Sequence, residues 1–164
     1  MLGKLKNALG MERKQIKIAA PLDGAGVKLA EVADPAFSEE MFGRGMAIRP
    51  TSGRVVSPVN GTISQMFDTR HAVSIVSGDG AEILIHIGLD TVKLGGQHFV
   101  AHAKNGDVVK VGDALIDFDL AAIAAAGYDT ITPIVICNTD DYKQFDIKAG
   151  IDVKIGDEII TLGG

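Results

Sequence analysis

The sequence predicts an all-β protein, a compact antiparallel β-sandwich with internally repeated β-motifs and a few short helical turns. Three observations carry this expectation. The 164 residues are 46% hydrophobic, enough for a sizeable core in one domain. The chain holds 20 glycines, recurrent Val and Ile and no Trp, and its short apolar runs are broken by Gly-Asp and Asn-Gly turn signals. It also repeats itself. Ala20-Pro-Leu-Asp-Gly24 returns as Ser57-Pro-Val-Asn-Gly61, and Lys104, Gly106, Val109, Lys110, Gly112, Asp113 and Ile116 return as Lys148, Gly150, Val153, Lys154, Gly156, Asp157 and Ile160. Each longer unit reads as strand, Gly-Asp turn, strand, so two similar motifs should face each other in one sandwich.

Residues 1–17 stand apart as an N-terminal segment ahead of a single domain over 18–164. Their Lys4, Lys6, Arg13, Lys14 and Lys17 outweigh Glu12, giving +4 in a chain of net charge -5, so the body carries -9. Leu2, Leu5, Ala8 and Leu9 recur among the lysines at helical spacing, the pattern of an amphipathic segment drawn to anionic lipid, although a flexible terminus is the more ordinary reading. The acidic body has no footprint for nucleic acid and would attract a basic protein partner. No apolar run approaches the roughly 20 residues of a spanning helix, and no signal peptide is present, so a cytoplasmic protein is expected, peripheral at the inner face of the membrane if residues 1–17 bind lipid.

Short helical turns are expected at Asp34–Phe42 and Leu120–Ala126. The single cysteine, Cys137, follows Pro-Ile-Val-Ile and reads as a small hydrophobe in a buried strand. His98 and His102 lie four apart, but no glutamate follows His98 as a zinc-protease motif requires, so they read as surface residues.

Residues 68–92 read as a hairpin. With Gly78 and Asp79 as the two residues of a type II′ turn, opposed partners have numbers summing to 157, which sets His71 across from His86 and Thr69 across from Gly88. Cross-strand Cβ atoms in such a pair are about 4.5 to 5.5 Å apart, so two imidazoles could touch one small anion or metal ion. A lone histidine in a strand is usually structural; a second one opposite it changes the odds.

The motif Gly80-Ala-Glu-Ile-Leu-Ile-His86-Ile-Gly88-Leu-Asp90-Thr91-Val92 resembles the active-site signature of the glucose-family IIA proteins of the bacterial phosphotransferase system. Ala20-Pro-Leu-Asp-Gly24, Asp34-Pro-Ala-Phe37, Ala47-Ile-Arg-Pro50, Ser57-Pro-Val-Asn-Gly61, Thr69-Arg-His71-Ala and Thr132-Pro133 resemble that family in order and spacing, from about Ile16 to the C-terminus. The resemblance implies a monomeric phosphoryl carrier. His86 would take phosphate at Nε2 from the phosphohistidine of HPr and pass it to a cysteine of a IIB domain of a sugar permease. His71 and Thr69 would stabilise the phosphoryl group, with Gly88 leaving the approach open. Asp34, Phe37, Phe67, Leu84, Asp90 and Val92 would meet partners, Phe37 and Phe67 as exposed side chains. Regulatory protein targets are known for some relatives. The chain departs from the family at Gly95-Gly96-Gln97-His98-Phe99, where many members have Gly-Glu-Gly-Phe, and at Leu84, where some have Phe.

No organic cofactor is required. Conditionally, His71 and His86 can supply two of the four ligands of a Zn²⁺ site, a partner carboxylate and water completing it. Two rival functions share the scaffold. A biotinyl or lipoyl carrier needs a modifiable lysine at a hairpin tip, and the Gly78-Asp79 turn has none; a lysostaphin-type zinc hydrolase needs a His-x-His pair, and His86 stands alone in its strand.

Overall fold

The computed structural model describes residues 15–164. In chain order these form β1 (Ile16–Ala19), β2 (Gly24–Lys28), helix α1 (Pro35–Ser38), β3 (Arg44–Pro50), β4 (Arg54–Val56), β5 (Gly61–Met66), β6 (Ala72–Ser77), β7 (Glu82–His86), β8 (Phe99–Ala101), β9 (Val108–Val109), β10 (Ala114–Phe118), helix α2 (Leu120–Ala125), β11 (Thr132–Ile136), β12 (Gln144–Ile147), β13 (Asp152–Val153) and β14 (Glu158–Gly163). Both helices fall where helical turns were expected. The proposed lipid-seeking leucines lie outside the described residues, whereas Ile16 and Lys17, assigned to the N-terminal segment, already belong to β1. The reason is alternation: Ile16 and Ile18 turn inward while Lys17 points out, and the strand pairs with β14 at Ile16–Leu162 and Ile18–Ile160.

All the pairings are antiparallel. One eight-stranded sheet runs β13-β2-β3-β11-β7-β6-β5-β9, and two three-stranded sheets run β1-β14-β12 and β4-β10-β8. One core joins the three: Ile18 and Ile160 from the first small sheet and Val55 and Ile116 from the second meet Ile63, Ile75, Ile85 and Ile134 of the large one. Removing this much branched aliphatic surface from water is the main stabilising term.

The two repeats turn out to be one device. Lys110 N–H donates to Asp113 Oδ2 and Lys154 N–H to Asp157 Oδ2, each at 2.9 Å, closing the same Gly-Asp turn twice. Each turn is then tied to a copy of the shorter repeat. Val111 N–H donates to Asn60 Oδ1 at 3.0 Å, and Ile155 N–H to Asp23 Oδ1 at 2.7 Å. The duplicated frame therefore pairs 57–63 with 106–113 and 20–26 with 150–157. The large sheet reflects it, since β9-β5-β6-β7 and β13-β2-β3-β11 meet at the β7–β11 pair.

The hairpin exists, but its register differs by one residue from the type II′ expectation. Partners sum to 158, as in Ala72–His86 and Ile75–Ile83, so His71 is not the residue opposite His86. Gly80, at φ +98°, takes the left-handed conformation, while Gly78 does not. The loop is therefore the three residues Gly78-Asp79-Gly80, closed by Gly80 N–H to Ser77 O at 2.9 Å and Ser77 N–H to Ala81 O at 2.8 Å. Cys137 is also corrected. It lies one residue beyond β11 and is exposed, because the inward alternation of Ile134 and Ile136 ends there.

Residues of β7 alternate between two environments. Ile83 and Ile85 enter the main core, while Leu84 and His86 face the other side of the sheet. A second apolar cluster covers part of that outer face: Leu29, Val32 and Phe37 pack on Ala47, Ile131 and Val135, with Leu84 against them. Helix α1 is held there by Asp34, whose carboxylate accepts from Ala36 N–H at 2.9 Å, and by Pro35 at its first position.

Candidate functional site

His86 ends β7 beside this second cluster, and the Phe37 ring packs on it at 5.2 Å between centroids. His71 lies just ahead of β6 in the Phe67–Ala72 turn. Its carbonyl accepts from Ile87 N–H at 2.7 Å, so the backbone pairs it with Ile87 while its ring reaches diagonally to His86. The imidazoles meet edge to face, 4.9 Å apart and 87° to each other. The expected juxtaposition is present, reached by a different register.

Each ring has one nitrogen occupied. His86 Nδ1 lies 2.7 Å from Gly88 O, and a carbonyl can only accept, so Nδ1 carries the proton and the neutral ring keeps its lone pair on Nε2. His71 Nδ1 lies 2.7 Å from Thr69 Oγ1. When the hydroxyl donates, His71 Nε2 holds the proton and becomes a donor. Both rings resist protonation. Burial pushes His71 down to about 4, with the neighbouring His86 adding to the effect; its exposure is 5%. Burial also lowers His86, against the raising effects of the Gly88 carbonyl and then of the Asp34 and Asp90 charges. At neutral pH the site thus offers one free imidazole lone pair beside a second neutral ring.

Gly88 does not leave open space beside Thr69. Its N–H donates to Ile131 O at 3.1 Å, and a Cβ at its position would lie 2.7 Å from Thr91 Cγ2 and 2.8 Å from Asp129 O. Glycine is required by φ +79° and by this filled contact, and the residue's contribution to the site is its carbonyl. Phe37 is likewise corrected. It is 2% exposed, because it anchors the second cluster and backs the His86 ring rather than facing solvent. Asp34 is the cap of α1 and also acts on His86 through its charge.

The remaining candidates surround the pair. Phe67 is half-buried with its ring 5.6 Å from His71, and it lines an open cleft of about 640 Å³ with Thr69, His71 and Val92. Val92 is 50% exposed, Asp90 is exposed in the left-handed conformation at φ +60°, and Leu84 is half-buried two residues before His86. Met41 and Phe42 are exposed nearby, with the Phe42 ring 5.2 Å from Phe37. Sequence reasoning missed Thr91 and Asp129. Thr91 is fully buried and its hydroxyl donates to Ile87 O; its place within the Gly88–Val92 motif was the available signal. Nothing in the sequence announced Asp129. Among the described residues no group of three or more His, Cys, Asp or Glu could hold a metal ion, so the histidine pair supplies two ligands at most. Nor is any helix among them long and apolar enough to cross a membrane.

A family model described as phosphoenolpyruvate-dependent sugar phosphotransferase system, EIIA 1, matches residues 16–142. The chain is 46% identical over 160 residues to the PTS system glucose-specific EIIA component of Halalkalibacterium halodurans, covering 97% of this chain and 92% of that one. It is 54% identical over 131 residues to the PTS system beta-glucoside-specific EIIBCA component of Bacillus subtilis, covering 80% of this chain but only 22% of that longer relative. The solved structure of glucose permease IIA from Mycoplasma capricolum superposes with a TM-score of 0.85 at 38% identity, over 90% of this chain and 96% of that one. From fold, ordered motifs and these relatives together, the chain belongs to the EIIA 1 family of the phosphoenolpyruvate-dependent sugar phosphotransferase system.

Proposed function

We propose that this chain carries a phosphoryl group on His86 Nε2, receiving it from the phosphohistidine of HPr and delivering it to the IIB domain of a sugar permease. The observation that carries the reading is the hydrogen bond from His86 Nδ1 to Gly88 O, which leaves Nε2 as the free nucleophilic nitrogen. In acceptance the Nε2 lone pair forms the new N–P bond as the donor N–P bond breaks, and the donor imidazole leaves with its electron pair. The positive charge on the His86 ring is then shared with the Gly88 carbonyl. His71, neutral and buried alongside, donates from Nε2 to a phosphoryl oxygen while Thr69 holds its other nitrogen. Phosphoryl transfer depends mainly on such positioning and charge stabilisation. The fused Bacillus subtilis relative, whose name joins B, C and A components, supports a IIB domain as acceptor.

Phe67, Leu84, Asp90 and Val92, with Asp34, surround the two rings and form the surface on which partners dock. The same rings would give Zn²⁺ two ligands when a partner supplies the others, and phosphate on His86 would remove one; indistinguishable zinc isotherms for wild type and His71→Ala would end that reading. A cytoplasmic carrier would use the residues ahead of β1 to stay near an anionic membrane, an idea that fails if full-length protein sediments equally with anionic and neutral liposomes.

The central test is intact mass after incubation with phosphoenolpyruvate and the general phosphotransferase proteins. One acid-labile phosphate should appear and map to His86. A biotinyl or lipoyl adduct on lysine, or no phosphate at all, would overturn the carrier reading.

A further inference from the structure

Thr69 and His71 flank a residue to which neither the fold nor the chemistry above gives a task. Arg70 has φ +57°, a conformation that side chains other than glycine enter only at a cost. Its N–H donates to Phe67 O at 2.8 Å and Phe67 N–H to Ala72 O at 3.2 Å, closing a tight turn around it. The 2.7 Å contact between Thr69 Oγ1 and His71 Nδ1 spans this one residue, so its backbone angles decide whether the contact forms.

The side chain explains how the turn is kept. Arg70 Nε donates to Phe99 O at 3.2 Å and Nη2 to Gly96 O at 3.3 Å. A guanidinium holds its N–H donors in one rigid plane, so this pair of bonds sets its orientation as well as its position. Gly96, at φ +93°, lies directly beneath it: a Cβ there would come within 2.7 Å of Arg70 Nη2. Gly96 ends the segment that leads from His86 through the short helix at Thr91–Leu94, and Phe99 begins β8. Arg70 therefore straps the turn that bears Thr69 and His71 to the chain leaving His86. The backbone bond from Ile87 N–H to His71 O ties the same two segments from the other side.

We propose that Arg70 is a positioning residue for His71, its guanidinium fixing the turn in which Thr69 grips His71 Nδ1 and turns Nε2 toward His86. This rests on the carrier reading for its consequence in transfer, but not for its geometry. A loosened turn lets Thr69 part from His71, after which the ring can exchange tautomers and rotate away. Misplacing a stabilising group by about an ångström costs up to about 100-fold in rate.

The test uses the full-length chain. In Arg70→Ala, His86 should still accept phosphate, while its passage to a IIB domain should slow about 10- to 100-fold. The ring nitrogens of His71, read by ¹⁵N NMR, should change from one tautomer to an exchanging pair. Arg70→Lys should recover part of both. Gly96→Ala should disturb His71 in the same way by displacing the guanidinium. Gly95→Ala, equally left-handed at φ +61° but with nothing within 4 Å, should leave the His71 spectrum unchanged. If Arg70→Ala lowers only the melting temperature, with His71 resonances and transfer unchanged below the transition, Arg70 is a structural strap alone and the proposal falls. Absence of phosphate on the wild-type protein would refute the carrier reading instead, leaving the His71 spectrum to decide on Arg70.

Discussion

The two histidines of this site touch each other and are held by opposite means. His86 ends a strand near the middle of the eight-stranded sheet, and its Nδ1 faces a carbonyl; His71 sits in a turn outside the sheet, and its Nδ1 faces a hydroxyl. A carbonyl can only accept, so it fixes the tautomer unaided, whereas a hydroxyl can donate or accept and fixes it only while the surrounding turn holds it as the donor. The rigid ring is suited to present a lone pair along a fixed line. The other, with Thr69 on Nδ1 and its proton on Nε2, is suited to donate a hydrogen bond to an arriving phosphoryl oxygen. In the proposed function, nucleophile and helper are distinguished by the partner of the remote nitrogen, although both rings are neutral histidines in contact.

The sharpest way to break this distinction is to remove each ring in turn. His86→Ala should take up no phosphate. His71→Gln should take it up at His86 and pass it on about 100- to 1000-fold more slowly, the cost of losing one preorganised donor. The measurement is acid-labile label from HPr followed by chase onto a IIB domain. Label appearing at His71 in the His86→Ala protein would reverse the assignment.

A smaller effect is expected when the carbonyl is moved and both rings are kept. Gly88→Ala forces a side chain into the left-handed region and against Thr91 Cγ2 and Asp129 O. The cost should be about 1 to 3 kcal/mol of stability, seen as a lower melting temperature, and acceptance should slow because the His86 tautomer is released. Thr69→Val removes the hydroxyl instead and should spare acceptance while slowing delivery. If both variants slow the same step, carbonyl and hydroxyl do not have separate roles.

Much of this was legible in the residues themselves. The repeats at 104–116 and 148–160 were visible because a Gly-Asp turn needs the same residue types wherever it is used, and His71 and His86 were paired by reading one hairpin. The register was not legible. Gly78 and Gly80 are both glycines, and only the backbone shows which one takes the positive φ, a one-residue difference that moves every partner. The rings still meet because both lie at strand ends, where alternation no longer dictates direction. Gly88 and Phe37 were misjudged for a different reason. Much of what fills the space beside them comes from Asp129, Ile131 and Val135, residues distant in sequence whose approach no local pattern reveals.

Acid should weigh on the two rings without altering carrier chemistry near neutrality. His71 is held down to about 4 by burial and by His86, against an ordinary value of 6.5; His86 is lowered too, with Asp34 and Asp90 opposing the shift. Between those limits the unfolded chain binds a proton that the folded His71 refuses, so stability falls as pH drops from about 6.5 toward 4 and is fully present above that window. A depression of this size corresponds to roughly 3 kcal/mol at most. Because both rings are already neutral at pH 7, acceptance of phosphate should change little between pH 8 and 6.5. Urea unfolding of wild type and His71→Gln at pH 7 and 4.5 isolates the contribution, since Gln has no proton to gain. Wild type should lose more stability than the variant over that interval, and equal losses would place the acid-sensitive group elsewhere in the fold.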